Sequence, residues 1–239
     1  LESPDGIKKL RELILTLAMQ GKLVKQDSTD QPASELLKDI QAEKERLIED
    51  GKIKKQKELP EIKPEEVPYE VPAGWVWTRL GEIAFQITDG THHTPTYVES
   101  GIPFLSVKDM SSGFLNFSET RFIPENEHVE LIKRCYPQKG DLLITKVGTT
   151  GIPILIKTDQ EFSLFVSVAL IKFATKSIFG EFLVHLVNSP HLKKQSEEGT
   201  EGVGNKNLVL KKINLFSIPL PPLAEQKRIV AKIDELMKL

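Results

Sequence analysis

Cysteine occurs once in these 239 residues, at Cys135. A single thiol excludes an internal disulfide and a multi-cysteine metal site, and it suits the cytoplasm. Long apolar runs are missing too: none approaches the roughly 18 to 20 residues that a membrane-spanning helix needs. Neither sign of charge is in excess, since 32 Lys plus Arg meet 34 Asp plus Glu for a net charge of −2. That balance argues against binding nucleic acid through bulk electrostatics, so any such surface has to be a local patch. The charge is uneven along the chain: residues 191–239 hold nine basic and six acidic side chains, and the remainder is slightly acidic. A hydrophobic share of 39% and a charged share of 28% fit a soluble globular protein, with room for one good-sized domain plus appendages or for two small domains.

Catalytic signatures are absent as well. His92 and His93 are adjacent, so on an extended chain they point to opposite faces, and no spaced Asp, Glu or His completes a metal site with them. Gly148-Thr149-Thr150-Gly151 lacks the Gly-Lys-Ser/Thr of an ATP phosphate loop, and there is no nucleophile elbow. Asn188-Ser189-Pro190-His191 is similar to the Asn-Pro-Pro-aromatic loop of amino-methyltransferases. It lacks the second proline and the stacking aromatic, and no glycine-rich cofactor loop follows a strand upstream. The expectation is a chain with no catalytic residue and no metal ligand of its own. Leu1-Glu2-Ser3-Pro4 is neither a signal peptide nor an initiator methionine, and the sequence stops inside a helical pattern at Leu236-Met237-Lys238-Leu239. A fragment of a longer chain is therefore expected.

Residues 1–22 form a helix by their spacing, with Asp5 as N-cap and Gly21 just past the end. Ile7, Leu10, Ile14 and Leu17 make one apolar seam, which Leu13 and Ala18 widen. A second helix runs from Pro32 to about Asp50 and ends at Gly51. Residues 52–72 read as an extended, proline-rich linker whose lysines are largely cancelled by glutamates. A compact domain covers residues 73–220. Its signals are β-like to about Phe173, with candidate strands at 103–107, 142–147, 152–156 and 165–173. A helical stretch over 178–196, broken at Pro190, precedes a polar glycine-rich loop and a last strand at 213–220. A final helix opens at Pro221-Pro222 and occupies 221–239, with Leu223, Val230, Ile233 and Met237 as a second seam. The fold class is mixed α/β, with a coiled-coil-like stalk formed by the two terminal helices packed side by side. Apolar surface left over on that stalk is expected to drive homodimerisation or partner binding.

Three loops have chemistry suited to nucleic acid. The first, Thr88-Asp89-Gly90-Thr91-His92-His93-Thr94-Pro95, is dense in short donors and acceptors that can meet base edges and phosphates; an ordinary Asp-Gly turn accounts for the same residues. The second, Lys146-Val147-Gly148-Thr149-Thr150-Gly151, sets a lysine and two threonines among glycines that let backbone amides approach a phosphate; a tight hairpin is compatible with it. The third, residues 199–212, holds Asn205, Lys206, Asn207, Lys211 and Lys212, against the plain alternative of a mobile surface loop. Lys108 is added to this candidate set. Lys146, Lys206 and Lys211 are the expected phosphate contacts, and Thr91, His92 and Asn205 the expected base-edge contacts.

The segment Ile218-Pro219-Leu220-Pro221-Pro222-Leu223-Ala224-Glu225-Gln226-Lys227-Arg228-Ile229-Val230 closely resembles a signature of the specificity subunits of Type I restriction–modification enzymes. Leu10-Arg11-Glu12-Leu13-Ile14-Leu15 through Gln20-Gly21-Lys22-Leu23-Val24, the entry around Gly74-Trp75, Asp89-Gly90-Thr91-His92, Gly140-Asp141-Leu142-Leu143-Ile144-Thr145-Lys146 and Lys206-Asn207-Leu208 match that family in order. The resemblance implies two target-recognition domains per subunit, each reading half of a split double-stranded DNA site, joined by helices that dock modification subunits. Those subunits methylate adenine with S-adenosylmethionine, and restriction subunits add ATP- and Mg-dependent translocation and cleavage. The specificity subunit itself carries no cofactor. This chain departs from the pattern in holding one recognition domain. Two other classes are weighed against it: a protein–protein adaptor and a stand-alone adenine methyltransferase.

Overall fold

The computed structural model describes residues 4–202 and 206–238. Along the chain come α1 (Pro4–Met19), α2 (Ala33–Glu49), β1 (Val76–Arg79), α3 (Leu80–Ile83), β2 (Ala84–Asp89), β3 (Ile102–Leu105) and β4 (Arg121–Ile123). Next are α4 (Glu125–Ile132), β5 (Leu142–Thr145), β6 (Pro153–Leu155), β7 (Ser163–Leu164), β8 (Val168–Phe173), α5 (Gly180–Asn188) and α6 (Pro190–Glu198). Last are β9 (Thr200–Glu201), β10 (Asn207–Leu208), α7 (Leu210–Asn214), β11 (Ser217–Leu220) and α8 (Leu223–Met237). The chain folds into two compact units. One takes the chain through Phe85, then Ala174–Gln195 and the stretch from Asn214 on; the other comprises Gln86–Phe173 and Ser196–Ile213. β1 runs antiparallel to β11, and Leu80 N–H donates to Phe216 O at 2.9 Å, so both ends of the 73–220 stretch close on each other within the first unit.

In the first unit α1, α5 and α8 pack together. The ends of α1 and α2 follow the expected chemistry. Gly21 and Gly51 take φ of +66° and +68°. Lys22 N–H reaches Leu17 O and Lys52 N–H reaches Leu47 O, each at 2.9 Å, closing the last carbonyls in Schellman fashion. Asp5 is no N-cap. It lies within the first turn of α1, where its charge faces the positive end of the helix dipole. The buried face of α1 is Ile14, Leu15, Ala18 and Met19, whereas Ile7, Leu10 and Leu13 are exposed. Of the remaining seam positions Val230 and Ile233 are buried, and Leu17, Leu223 and Met237 are half-buried. The seam turns because α5 joins the packing and brings Phe182, Leu183, Leu186 and Val187 inward.

The proline-to-helix segment now has a physical role. Glu225 and Gln226 lie buried in the first turn of α8. Glu225 Oε2 accepts from the Trp75 indole at 2.9 Å, while burial pushes its carboxyl up against the pull of that bond. Gln226 Oε1 accepts from Phe179 N–H at 2.8 Å and its amide donates to Pro221 O at 3.0 Å. One glutamate and one glutamine thus tie α8 to the chain before β1 and to the start of α5.

The proline-rich stretch over 52–72 is anchored by side-chain bonds to its backbone. The Arg79 side chain, 5% exposed, pairs with both Glu66 carboxylate oxygens at 2.6 and 2.8 Å. It also donates to the carbonyls of Pro60, Glu61 and Leu215. Trp77 donates its indole N–H to Tyr69 O at 3.2 Å. The five donors of one guanidinium are thus satisfied, two by the Glu66 carboxylate and three by backbone carbonyls, two of which lie in the extended stretch.

The second unit holds a four-stranded sheet in the order β2-β8-β5-β6 and a three-stranded sheet in the order β4-β3-β7. β5 is antiparallel to both neighbours, with Leu143 opposite Ile154 and Leu170. All four of its residues are buried, as its unbroken apolar run predicts. β3 pairs antiparallel with β4 and parallel with β7. Leu105, Met110, Leu143, Phe162 and Val168 lie in the core between them. Two readings are corrected here. The strand expected at 213–220 shrinks to β11, because Lys212 and Ile213 N–H both bond Val209 O and start α7 instead. The β-like stretch before Phe173 also contains α4, which begins after Pro124 and buries only His128, so its apolar period is faint.

The Arg79 hydrogen bonds hold the Glu66 carboxyl down to about 2 from the ordinary 4.5. A carboxyl depressed on folding contributes stability above its unfolded pKa and loses it as pH falls through the folded one. Urea denaturation is expected to show stability lost between about pH 4.5 and 2, with Glu66→Gln flattening that limb. Arg79→Met, which strands the carboxylate and three carbonyls, is expected to cost about 3 kcal/mol at neutral pH; an unchanged midpoint would refute the anchoring role.

Candidate functional site

The polar loops singled out in the sequence all lie in the second unit, and the structure joins them. β2 ends at Asp89, whose side chain is only 3% exposed. Gly90 continues the chain against β7, and a Cβ there would collide with the Leu164 carbonyl. The glycine serves close approach rather than an Asp-Gly turn. Thr91 N–H donates to Leu164 O and Val166 N–H to Thr91 O, both at 2.9 Å, so the loop is stitched to residues 164–166 like a short strand. Tyr97, Phe104 and Phe165 form a chain of edge contacts beneath it, with the Arg121 guanidinium 4.5 Å above the Tyr97 ring.

Three nitrogen-bearing side chains, Lys146, Arg134 and His92, converge on Asp89. Lys146 Nζ, on a side chain 4% exposed, meets Oδ2 at 2.5 Å. Arg134 Nη2 meets Oδ1 at 2.6 Å, and His92 Nε2 lies 3.2 Å from the same oxygen. Burial opposes ionisation of Asp89, but the Lys146 hydrogen bond and charge, with the Arg134 and His92 bonds, hold its carboxyl below the usual range. Lys146 also donates to Val166 O at 3.3 Å, and Arg134 to Gly90 O at 3.0 Å.

Lys146 links the loops through its backbone as well. Its N–H donates to Ser167 O at 2.8 Å, while the Ser167 hydroxyl accepts from Val107 N–H at 3.1 Å. Its carbonyl accepts from Leu208 N–H at 2.8 Å, and Val147 bridges Asn207. Thr145 braces the second loop by donating to Thr149 O at 2.6 Å and accepting from Ile152 N–H at 3.0 Å. The segments around Asp89, Lys108, Lys146 and Asn207 therefore meet at one end of β5.

The expected contacts divide into two groups. His92, with a side chain 66% exposed, and His93, Lys108, Thr149, Lys206 and Lys211 face solvent; Thr150 is half-buried. Thr88, Asp89, Thr91 and Lys146 are buried. Thr91 Oγ1 pairs with His93 Nδ1 at 2.8 Å, so the two histidines diverge, one to Asp89 and one to Thr91. The ammonium of Lys146, expected as a phosphate contact, is buried and paired with Asp89. Thr91 and Asp89 likewise shape the loop from within. Asn205 lies outside the described residues. Sequence reasoning missed Arg134, half-exposed beside a recess of about 310 Å³ that Gly90, Thr91, His92, His93 and Leu164 also line. Recognising α4 would have been the signal, since Arg134 follows it closely.

The mixed α/β fold is shared with solved structures. One comes from work on complex assembly and conformational transition of the type I R-M system (TM-score 0.55, 21% identity, 98% of this chain and 48% of that one). Another is the HsdS subunit from Thermoanaerobacter tengcongensis (TM-score 0.52, 18% identity, 98% of this chain and 49% of that one). The chain belongs to the Type I restriction modification DNA specificity domain family, whose model matches residues 72–239. It is 34% identical to the Type I restriction enzyme EcoAI specificity subunit of Escherichia coli over 238 residues, 98% of this chain and 40% of that protein. It is also 34% identical to the EcoEI specificity subunit of Escherichia coli over 259 residues, again 98% of this chain and 40% of that protein. The chain thus spans less than half the length of these curated relatives.

Lys146→Met leaves a buried carboxylate short of its closest partner and is expected to lower stability by about 3 kcal/mol, read by thermal and urea unfolding. Lys206→Glu, on an exposed side chain, is expected to shift it by less than about 0.5 kcal/mol. Equal effects would contradict the division into buried and exposed lysines.

Proposed function

We propose that this chain recognises DNA sequence as part of a Type I restriction–modification specificity subunit, reading one half of a bipartite double-stranded site. The observation that carries the reading is the meeting of three polar loops at one end of β5, with His92, His93, Lys108, Thr149, Lys206 and Lys211 exposed around a fixed ionic centre. Lys108, Lys206 and Lys211 are assigned to phosphates. His92, Thr149 and Arg134 are assigned to base edges, where an arginine pinned on one side by a carboxylate presents its remaining donors in a set direction. Thr91 and Lys146 position the loops rather than touch DNA. Family membership supports a non-catalytic role, with S-adenosylmethionine, ATP and Mg handled by modification and restriction subunits in the cytoplasm. An adaptor or a methyltransferase has no comparable observation in its favour.

Residues 73–220 are proposed as the recognition segment, 52–72 as its anchored lead, and the helices at 1–51 and 221–239 as the docking stalk. The exposed stripe of Ile7, Leu10 and Leu13 on α1 is the surface assigned to the modification subunits. Ile7→Glu with Leu10→Glu should prevent that assembly in gel filtration with light scattering; unimpaired assembly would move the docking surface elsewhere.

The DNA reading is tested on the chain assembled with its modification subunits, using the duplex that this complex enriches from a random-sequence library. Lys206→Glu and Lys211→Glu are each expected to weaken binding across sequences. Each should also lower the slope of log affinity against log salt by about 1. Unchanged affinity and slope for both would defeat this placement of the phosphate contacts.

A further inference from the structure

Phe114 is 60% exposed, more than any other large apolar side chain among the described residues. It does not sit on a loose loop. Gly113 N–H donates to Met110 O and Asn116 N–H to Asp109 O, both at 2.9 Å, and Asn116 Oδ1 accepts from Ser118 N–H at 3.0 Å and from its hydroxyl at 2.7 Å. The apolar residues on either side are used: Met110 is fully buried, and Leu115 and Phe117 pack on the core. The turn is well fixed, yet it holds the Phe114 ring out in water.

The position of the turn says what covers that ring. Leu115 and Phe117 pack on the same core cluster as Ile152, the residue that follows the Lys146–Gly151 loop. At its other end, Val107 N–H bonds the Ser167 hydroxyl, whose backbone carbonyl holds Lys146. The turn therefore belongs to the same loop cluster. It brings its own cation, Lys108, and short polar side chains at Ser111, Ser112 and Asn116. An aromatic ring flanked by a cation and short donors matches the chemistry of base stacking with phosphate anchoring.

We propose that Phe114 is a base-stacking contact that inserts at or beside a base step of the bound half-site. This rests on the DNA-recognition reading given above. Wild type, Phe114→Ala and Phe114→Trp are compared as complexes with the modification subunits, on the duplex that wild type enriches from a random library. Phe114→Ala is expected to bind about tenfold more weakly with unchanged thermal stability, and Phe114→Trp to stay within about twofold of wild type. With 2-aminopurine placed through the duplex, wild type should raise fluorescence at one step by unstacking it, and Phe114→Ala should not. Wild-type affinity for Phe114→Ala overturns the proposal. So does a loss of subunit assembly with DNA affinity intact, which would make the ring a protein contact. If wild type enriches no sequence, the DNA-recognition reading itself fails, an outcome distinct from either.

Discussion

The ion pair between Asp89 and Lys146 is the constraint on which the loop cluster depends. Both side chains are almost wholly out of water, and they are separated by 57 residues of sequence. Either one alone would be a buried charge without compensation, so the end of β2 and the end of β5 have to meet. Arg134 and His92 then close on the other oxygen, and backbone bonds from Lys146 reach Ser167 and Leu208. Loops that differ in length and sequence share one rigid reference point. Such a point suits a surface whose task is to hold exposed side chains in fixed directions, because preorganisation lowers the ordering cost of binding.

The first unit is tied together by the same device in other residues. Arg79 gathers the extended segment 60–66 onto β1, and Glu225 with Gln226 fastens α8 to Trp75 and Phe179. These are buried polar groups with specific partners, which set alignment more than they add net stability. The proline-to-helix segment that stands out in the sequence therefore marks a joint.

Much of the local structure is legible in the sequence. Gly21, Gly51, Pro32 and Pro222 bound helices as their backbone chemistry requires, and the unbroken run at Leu142–Ile144 reads as a buried strand. What is not legible depends on distant partners. A lysine at a strand end looks like a free cation, and nothing near Lys146 in sequence announces Asp89. Helix α4 hides because its face buries one histidine, bonded through Nδ1 to the Ser163 hydroxyl at 2.8 Å, instead of an apolar stripe. With α4 unseen, Arg134 was beyond reach. The buried face of α1 is turned by about a quarter turn from the expected seam, because a third helix, α5, shares the packing.

On the proposed function, the Asp89–Lys146 pair is scaffold and lies off the DNA surface. The direct measurement is the salt dependence of DNA affinity for a double variant, Asp89→Asn with Lys146→Met, in the assembled complex below its unfolding temperature. Removing both charges leaves neither one stranded. The account predicts a slope of log affinity against log salt equal to that of wild type, whatever the change in affinity. A slope smaller by about 1 would show that Lys146 neutralises a phosphate, and would contradict the account.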